Sequence, residues 1–159
     1  MFVNRKRILV EFGDCDPASI VFFANYFRWF DDCTTALFLA AGLPIRELFR
    51  SYSVVGIPVV EANARFIAPS TQGDELEVES SVAELGKSSF VITHKFFRKN
   101  ELILEGRETR VWAAAHPTES NRMKALPLPK EVVEKLSTSG KEKEQKVASR
   151  ARRVSNARL

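Results

Sequence analysis

The chain has 159 residues, of which 45% are hydrophobic and 28% charged, and this balance favours one globular domain with its own core. The longest apolar run, residues 36–43, is far shorter than the roughly twenty residues of a membrane-spanning helix. No apolar signal core follows the basic residues 1–7. We therefore expect a cytoplasmic protein.

The formal net charge of +4 is unevenly distributed. Residues 138–159 contain seven Lys or Arg and two Asp or Glu, a local charge of +5, which leaves −1 for the other residues. The high pI therefore does not indicate a nucleic-acid-binding fold. The basic segment could contact an anionic membrane, RNA or an acidic partner, and a solubilising extension is the simpler interpretation.

Cysteine and histidine are too rare to suggest a metal site or disulfide chemistry. The two cysteines are Cys15 and Cys33, and a cytosolic setting argues against pairing them. Cys15 lies between two aspartates, which disfavour a reactive thiolate. The two histidines, His94 and His116, leave few ligands for zinc, and the apolar neighbours of His94 favour a packed or surface imidazole over a catalytic base.

The first predicted elements are a strand and a long helix. Residues 7–12 are rich in β-formers and predict a strand, and residues 13–19 predict a tight loop. Apolar residues then recur at spacings of three and four over residues 20–41, as one helix face requires. Gly42 and Pro44 follow as stop signals. This helix has a wide aromatic face, which needs a large apolar partner such as a curved sheet.

The rest of the chain supplies that sheet. Short turns separate the predicted strands, which indicates antiparallel pairing. The predicted strands cover residues 59–68, 76–85, 89–98, 102–115 and 123–128. A short helix is predicted over residues 130–136. The sequence thus predicts an α+β domain over residues 1–137, followed by a disordered tail over residues 138–159.

The stretch from Phe12 to Asp31 is the part of the chain that suggests chemistry. Asp16 lies in a loop just before a helix N-terminus, where the first N–H groups have no partner and carry partial positive charge. A carboxylate beside free amides suits acyl transfer. The carboxylate attacks the acyl group or activates water, and the amides hold the oxyanion. Alternatively, Asp14 or Asp16 caps the helix, which is the commoner use of aspartate there.

This stretch resembles the Asp-x-Asp-Pro-Ala-x-Ile-Val signature of the 4-hydroxybenzoyl-CoA thioesterase family, enzymes of the hotdog fold that hydrolyse acyl-CoA thioesters. The resemblance covers about residues 7–130. It continues through residues 25–31, 42–44, 56–60, 63–66 and 87–90. It implies a hotdog fold, with a long central helix wrapped by a curved antiparallel sheet. It also implies dimers or tetramers assembled through sheet edges, and no cofactor, since coenzyme A is part of the substrate.

The resemblance also assigns catalytic roles. Asp16 falls on the family's catalytic carboxylate, which is described as a nucleophile in one branch and acts as a general base on water in others. The backbone N–H of Phe23 falls on the oxyanion donor. Many relatives carry His or Tyr at this position, so Phe23 keeps the amide but lacks a side-chain hydrogen bond.

Two further acidic residues are candidates for substrate binding. Asp31 falls where the family's namesake enzyme is thought to engage the ring hydroxyl, and the alternative is a solvated helix aspartate. Glu61 lies early in a strand near the family's pocket, and a structural role is the favoured interpretation for it.

The turn with Lys87, Ser88 and Ser89 matches a place where relatives bind CoA phosphates. Only Lys87 is basic in this turn, so other cations must contribute. The candidates by charge alone, each of which could equally be a solvated edge residue, are Arg65, Arg98, Arg107 and Arg110.

The expected function is hydrolysis of an acyl-CoA, 4-hydroxybenzoyl-CoA or a similar aromatic acyl-CoA, to free acid and CoA. Two alternatives stay open: a thioesterase for short aliphatic acyl-CoA, and a non-catalytic module that binds acyl-CoA or an acyl carrier. A dehydratase is disfavoured, because the motif does not resemble the His-containing sites of those enzymes.

Overall fold

A computed structural model describes residues 1–138. The strands are β1 (Val3–Leu9), β2 (Val59–Phe66), β3 (Glu75–Leu85), β4 (Ser89–Arg98), β5 (Glu101–Val111), β6 (Ala113–Ala115) and β7 (Met123–Ala125). The helices are α1 (Phe23–Ala40), α2 (Ile45–Ser51) and α3 (Lys130–Ser137). No helix in residues 1–138 is long and apolar enough to cross a membrane.

Five strands form one antiparallel sheet in the order β1-β3-β4-β5-β2, and β6 pairs with β7 in a small second sheet. The connections from β3 to β4 and from β4 to β5 are tight turns, as the sequence predicts. β1 and β2 are the two edge strands. The predicted α+β class and hotdog architecture are confirmed, since one long helix packs against an antiparallel sheet.

The core lies between α1 and the sheet. The helix buries one face, whose members recur at spacings of three and four: Tyr26, Trp29, Phe30, Cys33, Leu37 and Phe38. Its first half packs on Val78, Phe96 and Leu104, and its second half packs on Val82 and Phe90. Trp29 and Trp112 are both buried, as predicted.

The structure differs from the predicted elements in several places; the predicted strand over residues 102–115, for example, is divided into β5 and β6. β1 begins at Val3 rather than residue 7, because an edge strand tolerates charges on its open face; Arg5 there bonds Glu79 at 2.7 Å. The long helix begins at Phe23, not residue 20. The sequence analysis did not predict α2. The predicted tail lies outside the described residues, apart from Thr138.

Candidate active site

The loop before α1 folds back on itself like a small hairpin. The N–H of Phe22 donates to the Asp14 carbonyl at 2.9 Å, and the N–H of Asp16 donates to the Ile20 carbonyl at 2.8 Å. A turn closes the loop, with the N–H of Ser19 bonded to the Asp16 carbonyl at 2.9 Å. Ser19 has φ of 63°, the left-handed conformation that commonly follows such a turn. This geometry places Asp14 opposite Phe22, the residue before α1, and Asp16 opposite Ile20, three residues before the helix begins.

One oxygen of the Asp16 carboxylate is available for chemistry. The side chain is half-buried, and its Oδ1 accepts a hydrogen bond from the N–H of Ala18 at 2.8 Å. Its Oδ2 has no hydrogen-bond partner among residues 1–138. The turn therefore fixes the carboxylate and leaves one oxygen unpaired.

The N-terminus of α1, which follows this loop, has free amides. Phe22 is the N-cap residue, and no side chain caps the helix. The first two N–H groups, those of Phe23 and Ala24, have no acceptor within the described chain, while the N–H of Asn25 turns back to the Phe22 carbonyl at 2.9 Å. Free N–H groups at a helix start attract a developing negative charge.

Asp14 and Asp16 have different environments. The Asp14 side chain is buried, accepting from the N–H of Glu11 at 2.9 Å and from Arg28 Nη2 at 2.8 Å. Its carbonyl also accepts from Asn25 Nδ2 at 2.9 Å. Asp14 therefore anchors the loop to α1, and neither aspartate caps that helix.

Apolar side chains surround the Asp16 loop on the surface. Phe22 and Phe23 are 46% and 57% exposed and touch edge to face, with ring centroids 4.9 Å apart. Phe12 is 81% exposed, and Ile20 is also exposed. Such a concentration of exposed aromatic surface is typical of a binding or assembly surface.

Asp31 belongs to a polar network between α1 and β5. Its Oδ1 bonds Arg110 Nη2, and Arg110 also bonds both oxygens of Glu108, at 2.8 and 2.9 Å. Thr34 Oγ1 donates to Glu108 at 2.5 Å. Thr34, Glu108 and Arg110 are buried, whereas the Asp31 side chain is 67% exposed.

The network adjoins an open cavity of about 380 Å³. Arg110 and Thr34 form part of its wall, and Thr35 lies beside Thr34 on α1. The remaining lining is mostly apolar and comes from α2, the segment before β2 and β7: Ile45, Phe49, Val55, Ile57, Pro58 and Met123. A largely apolar cavity with a few polar groups suits a small organic ligand.

His94 is packed against this network. It is fully buried, stacks on Phe30 at a centroid distance of 4.6 Å, and its Nδ1 lies 2.8 Å from Ser80 Oγ. Its Nε2 lies 3.5 Å from Glu108 Oε1, too far for a well-formed hydrogen bond. The imidazole has no access to a substrate, so the packed interpretation holds.

The predicted site residues do not all meet within one chain. Asp16 and Phe23 lie at one end of the sheet, whereas Lys87, Ser88 and Ser89 lie at the opposite end, in and after the β3–β4 turn. The eleven residues of β3 separate these ends by roughly 34 Å, ten steps of about 3.4 Å each.

Glu61 lies on the edge strand β2, where it is exposed and opposite Thr109. Lys87 is exposed and forms no ion pair with the rest of residues 1–138. The four candidate arginines, in contrast, all pair with carboxylates. Their partners are Glu105 for Arg65, Glu101 and Asp74 for Arg98, Glu84 for Arg107, and Glu108 and Asp31 for Arg110.

Thr34 and Glu108 were not predicted from the sequence, and Arg110 was a candidate only because of its charge. The signal was present in β5, where alternate residues share one face. Leu104, Gly106, Glu108 and Arg110 all point inward. Two charged residues on the inward face of a strand indicate a buried ion pair.

Known proteins match most of the chain. The family model for the thioesterase-like superfamily matches residues 10–136. The 4-hydroxybenzoyl-CoA thioesterase of Pseudomonas sp. strain CBS-3 is 35% identical over 134 residues, which cover 80% of this chain and 93% of that enzyme. A 1,4-dihydroxy-2-naphthoyl-CoA hydrolase of Prochlorococcus marinus strain NATL1A is 31% identical, covering 59% of this chain and 67% of that enzyme.

Solved structures agree with these matches. The structure of the Pseudomonas enzyme superimposes with a TM-score of 0.78 at 32% identity, covering 84% of this chain and 98% of that one. A gentisyl-coenzyme A thioesterase gives a TM-score of 0.73 at 32% identity, covering 85% and 100%. The predicted enzyme class, a thioester hydrolase, is confirmed by these relatives, which are named thioesterases or hydrolases of CoA esters. The chain belongs to the thioesterase-like superfamily.

Proposed function

We propose that this protein hydrolyses acyl-CoA thioesters with an aromatic acyl group, such as 4-hydroxybenzoyl-CoA. The observation that carries the proposal is a loop in which Oδ2 of Asp16 is unpaired, followed along the chain by the free N–H groups of Phe23 and Ala24 at the start of α1. A thioesterase needs both parts: a carboxylate that attacks or activates water, and donors that hold the oxyanion. The relatives named above act on 4-hydroxybenzoyl-CoA, gentisyl-CoA and dihydroxynaphthoyl-CoA.

The reaction proceeds from this geometry by one of two routes. Asp16 either attacks the thioester carbonyl, forming an acyl anhydride that water then cleaves, or removes a proton from the water that attacks. In both routes the carbonyl oxygen becomes negative and lies against the N–H of Phe23. The C–S bond breaks, CoA leaves as a thiolate, and the products are free acid and CoA.

The position of the predicted site residues supports a homo-oligomer. β2 is an open edge with exposed apolar side chains, among them Val60 at 62% and Phe66 at 50%. The Phe66 end lies near the start of α1, because its ring contacts Tyr26 at 5.7 Å, and the Val59 end pairs with Arg110. Antiparallel two-fold pairing of β2 thus brings the α1 start of one copy to the Arg110 end of the other.

We propose a dimer built in this way, and a tetramer as the arrangement that brings Lys87, Ser88 and Ser89 to the CoA phosphates. Glu61 lies on the same edge strand and would face the second copy. The absence of a cofactor and the cytoplasmic location stay predictions.

Release of CoA thiol tests the proposed function. The substrates are 4-hydroxybenzoyl-CoA, benzoyl-CoA and a short aliphatic acyl-CoA, each at saturating concentration. Faster turnover of the aromatic substrates supports the proposal. Faster turnover of the aliphatic substrate would show that the preferred acyl group is aliphatic rather than aromatic. CoA binding without any turnover would favour the non-catalytic module.

A further inference from the structure

Two lysines without ion pairs lie at the end of the sheet opposite Asp16. Lys87 is in the β3–β4 turn, and its carbonyl accepts a hydrogen bond from the N–H of Leu128 at 2.8 Å. Lys130, the first residue of α3, follows two residues later, at most about 7 Å along the chain. Both lysines are exposed, and neither forms an ion pair within residues 1–138. Together they form a small cationic surface, called here the Lys87–Lys130 surface.

This surface has little charge for a ligand with several phosphate groups. CoA carries a 3′-phosphate and a diphosphate, and Lys and Arg are the residues that bind such groups. The four candidate arginines all pair with carboxylates. Arg110, the most enclosed of them, is 6% exposed and donates to Glu108 and Asp31. The arginines of the domain therefore add no free charge to the Lys87–Lys130 surface.

The chain carries a concentration of positive charge after α3. Residues 146–158, called here the basic segment, contain five Lys or Arg and no Asp or Glu. The five are Lys146, Arg150, Arg152, Arg153 and Arg158. The family model ends at residue 136, so the basic segment lies outside the matched domain.

The end of α3 places the basic segment within reach of the Lys87–Lys130 surface. The carbonyl of Leu136 accepts a hydrogen bond from the N–H of Phe2 at 2.8 Å, which fixes this end of the helix to the domain. The eight residues of α3 put Thr138 about 12 Å from Lys130. Lys146 follows eight residues later, and eight residues span up to about 27 Å. The available length of chain therefore exceeds the distance back to the surface.

We propose that the basic segment binds the phosphate groups of the substrate's CoA portion, together with Lys87 and Lys130. The inference rests on the proposed function, acyl-CoA hydrolysis, and adds to it a phosphate site supplied largely from outside the matched domain. The contacts lie far from the thioester, so they bind the substrate and the transition state equally. Their loss should raise KM and leave kcat unchanged. Added salt should weaken them.

The test neutralises the basic segment in the full chain, by changing its five Lys and Arg to Gln. The substrates are 4-hydroxybenzoyl-CoA and 4-hydroxybenzoyl-pantetheine, which has the same thioester but no phosphate. At low salt, this Gln variant should raise KM for the CoA substrate at least about fivefold, with kcat unchanged. Its KM for the pantetheine substrate should stay at the wild-type value. Calorimetry measures the affinity for CoA itself, which should fall by a similar factor.

Three further variants separate the contribution of charge at this site from other effects. Changing the four Arg of the basic segment to Lys keeps the charge and should keep the wild-type KM. Lys87→Gln with Lys130→Gln should raise KM for the CoA substrate alone. Lys95→Gln with Lys99→Gln removes two exposed lysines on β4 and in the turn after it, and should leave KM for both substrates unchanged.

Unchanged KM and CoA affinity in the Gln variant would overturn the inference and leave thioester hydrolysis standing. An equal rise in KM for both substrates would also overturn it, because the pantetheine substrate has no phosphate. Binding of RNA or of anionic vesicles that the Gln variant loses, with CoA affinity unchanged, would assign the segment to that partner instead.

The affinity for CoA separates the inference from the proposed function. If the wild-type protein hydrolyses neither substrate but binds CoA more tightly than the Gln variant does, the phosphate site stands and the proposed function fails. A wild-type protein that neither hydrolyses the substrates nor binds CoA would overturn both.

Discussion

Asp14 and Asp16 lie two positions apart in the loop before α1, but their contacts differ and so do their roles. Asp14 holds the loop together through Arg28 and the N–H of Glu11, whereas Asp16 keeps an oxygen free. Sequence reasoning named both as possible helix caps. It could not separate them, because only the folded loop decides which carboxylate meets Arg28.

This contrast predicts that Asp14→Asn acts on stability. The substitution weakens the charge-assisted bond to Arg28, whose side chain is 59% exposed, so the free energy of unfolding should fall by about 1–2 kcal/mol. Urea denaturation measures the change. Arg28→Gln should cost a similar amount, and an unchanged free energy in both variants would contradict the anchoring role.

A second residue-scale prediction concerns Gly106. A Cβ at this position would overlap the Phe30 ring, which lies directly over the glycine. Gly106→Ala should therefore destabilise the protein by about 1–3 kcal/mol, the usual cost of overpacking. Gly13, which has open space around it, provides the control: Gly13→Ala should change the urea midpoint little. Equal effects of the two substitutions would be inconsistent with this packing.

At the scale of elements, hydrophobic periodicity predicted the helices and strands that tertiary packing also stabilises. β4 has the bounds predicted for it, and α1 has the predicted aromatic face, because an aromatic helix and alternating strands satisfy local and tertiary preferences together. The helix α2 was missed. It has seven residues, too few for stable helix by propensity alone, and depends on Leu48 packing into the core.

The buried Glu108 on β5 should make the stability of the fold depend on pH. Burial alone would raise the pKa of Glu108, but nearby His94 and the bonds from Arg110 and Thr34 outweigh it and lower the pKa from 4.5 to about 2. The ionised form therefore stabilises the fold above about pH 4.5. This contribution, roughly 3 kcal/mol, is lost as the pH falls towards 2.

Glu108→Gln removes this titration. Its free energy of unfolding should fall less between pH 5 and pH 3 than that of wild-type protein, as measured by urea denaturation at each pH. Glu47→Gln, which removes an exposed carboxylate on α2, serves as the control and should keep the wild-type dependence. An identical pH dependence in all three proteins would contradict the role given to the network.

At the scale of the whole molecule, the predicted site residues lie at two ends of the sheet, and the proposed assembly would bring them together. Val60→Lys places a charge on the open β2 edge, where it should prevent pairing with a second copy. The mass in solution should fall to that of one chain, 18.0 kDa, and turnover should fall with it. Light scattering after size-exclusion chromatography measures the mass.

Val3→Lys, on the other edge strand β1, is the matched control and should leave the dimer intact. A Val60→Lys protein that keeps the wild-type mass would rule out assembly through β2. A monomer with full turnover would show that one chain contains the complete site. The sequence alone could not predict how far apart Asp16 and Lys87 lie, because that distance depends on the folded sheet.

Asp16→Asn tests most directly whether Asp16 performs thioester hydrolysis. The measurement is kcat for CoA release from 4-hydroxybenzoyl-CoA, together with CoA binding and the urea midpoint. Asp32→Asn, an exposed aspartate on α1, is the control. We expect Asp16→Asn to lower kcat at least about a hundredfold while CoA binding and the midpoint stay at wild-type values. Wild-type kcat in the Asp16→Asn protein would contradict it.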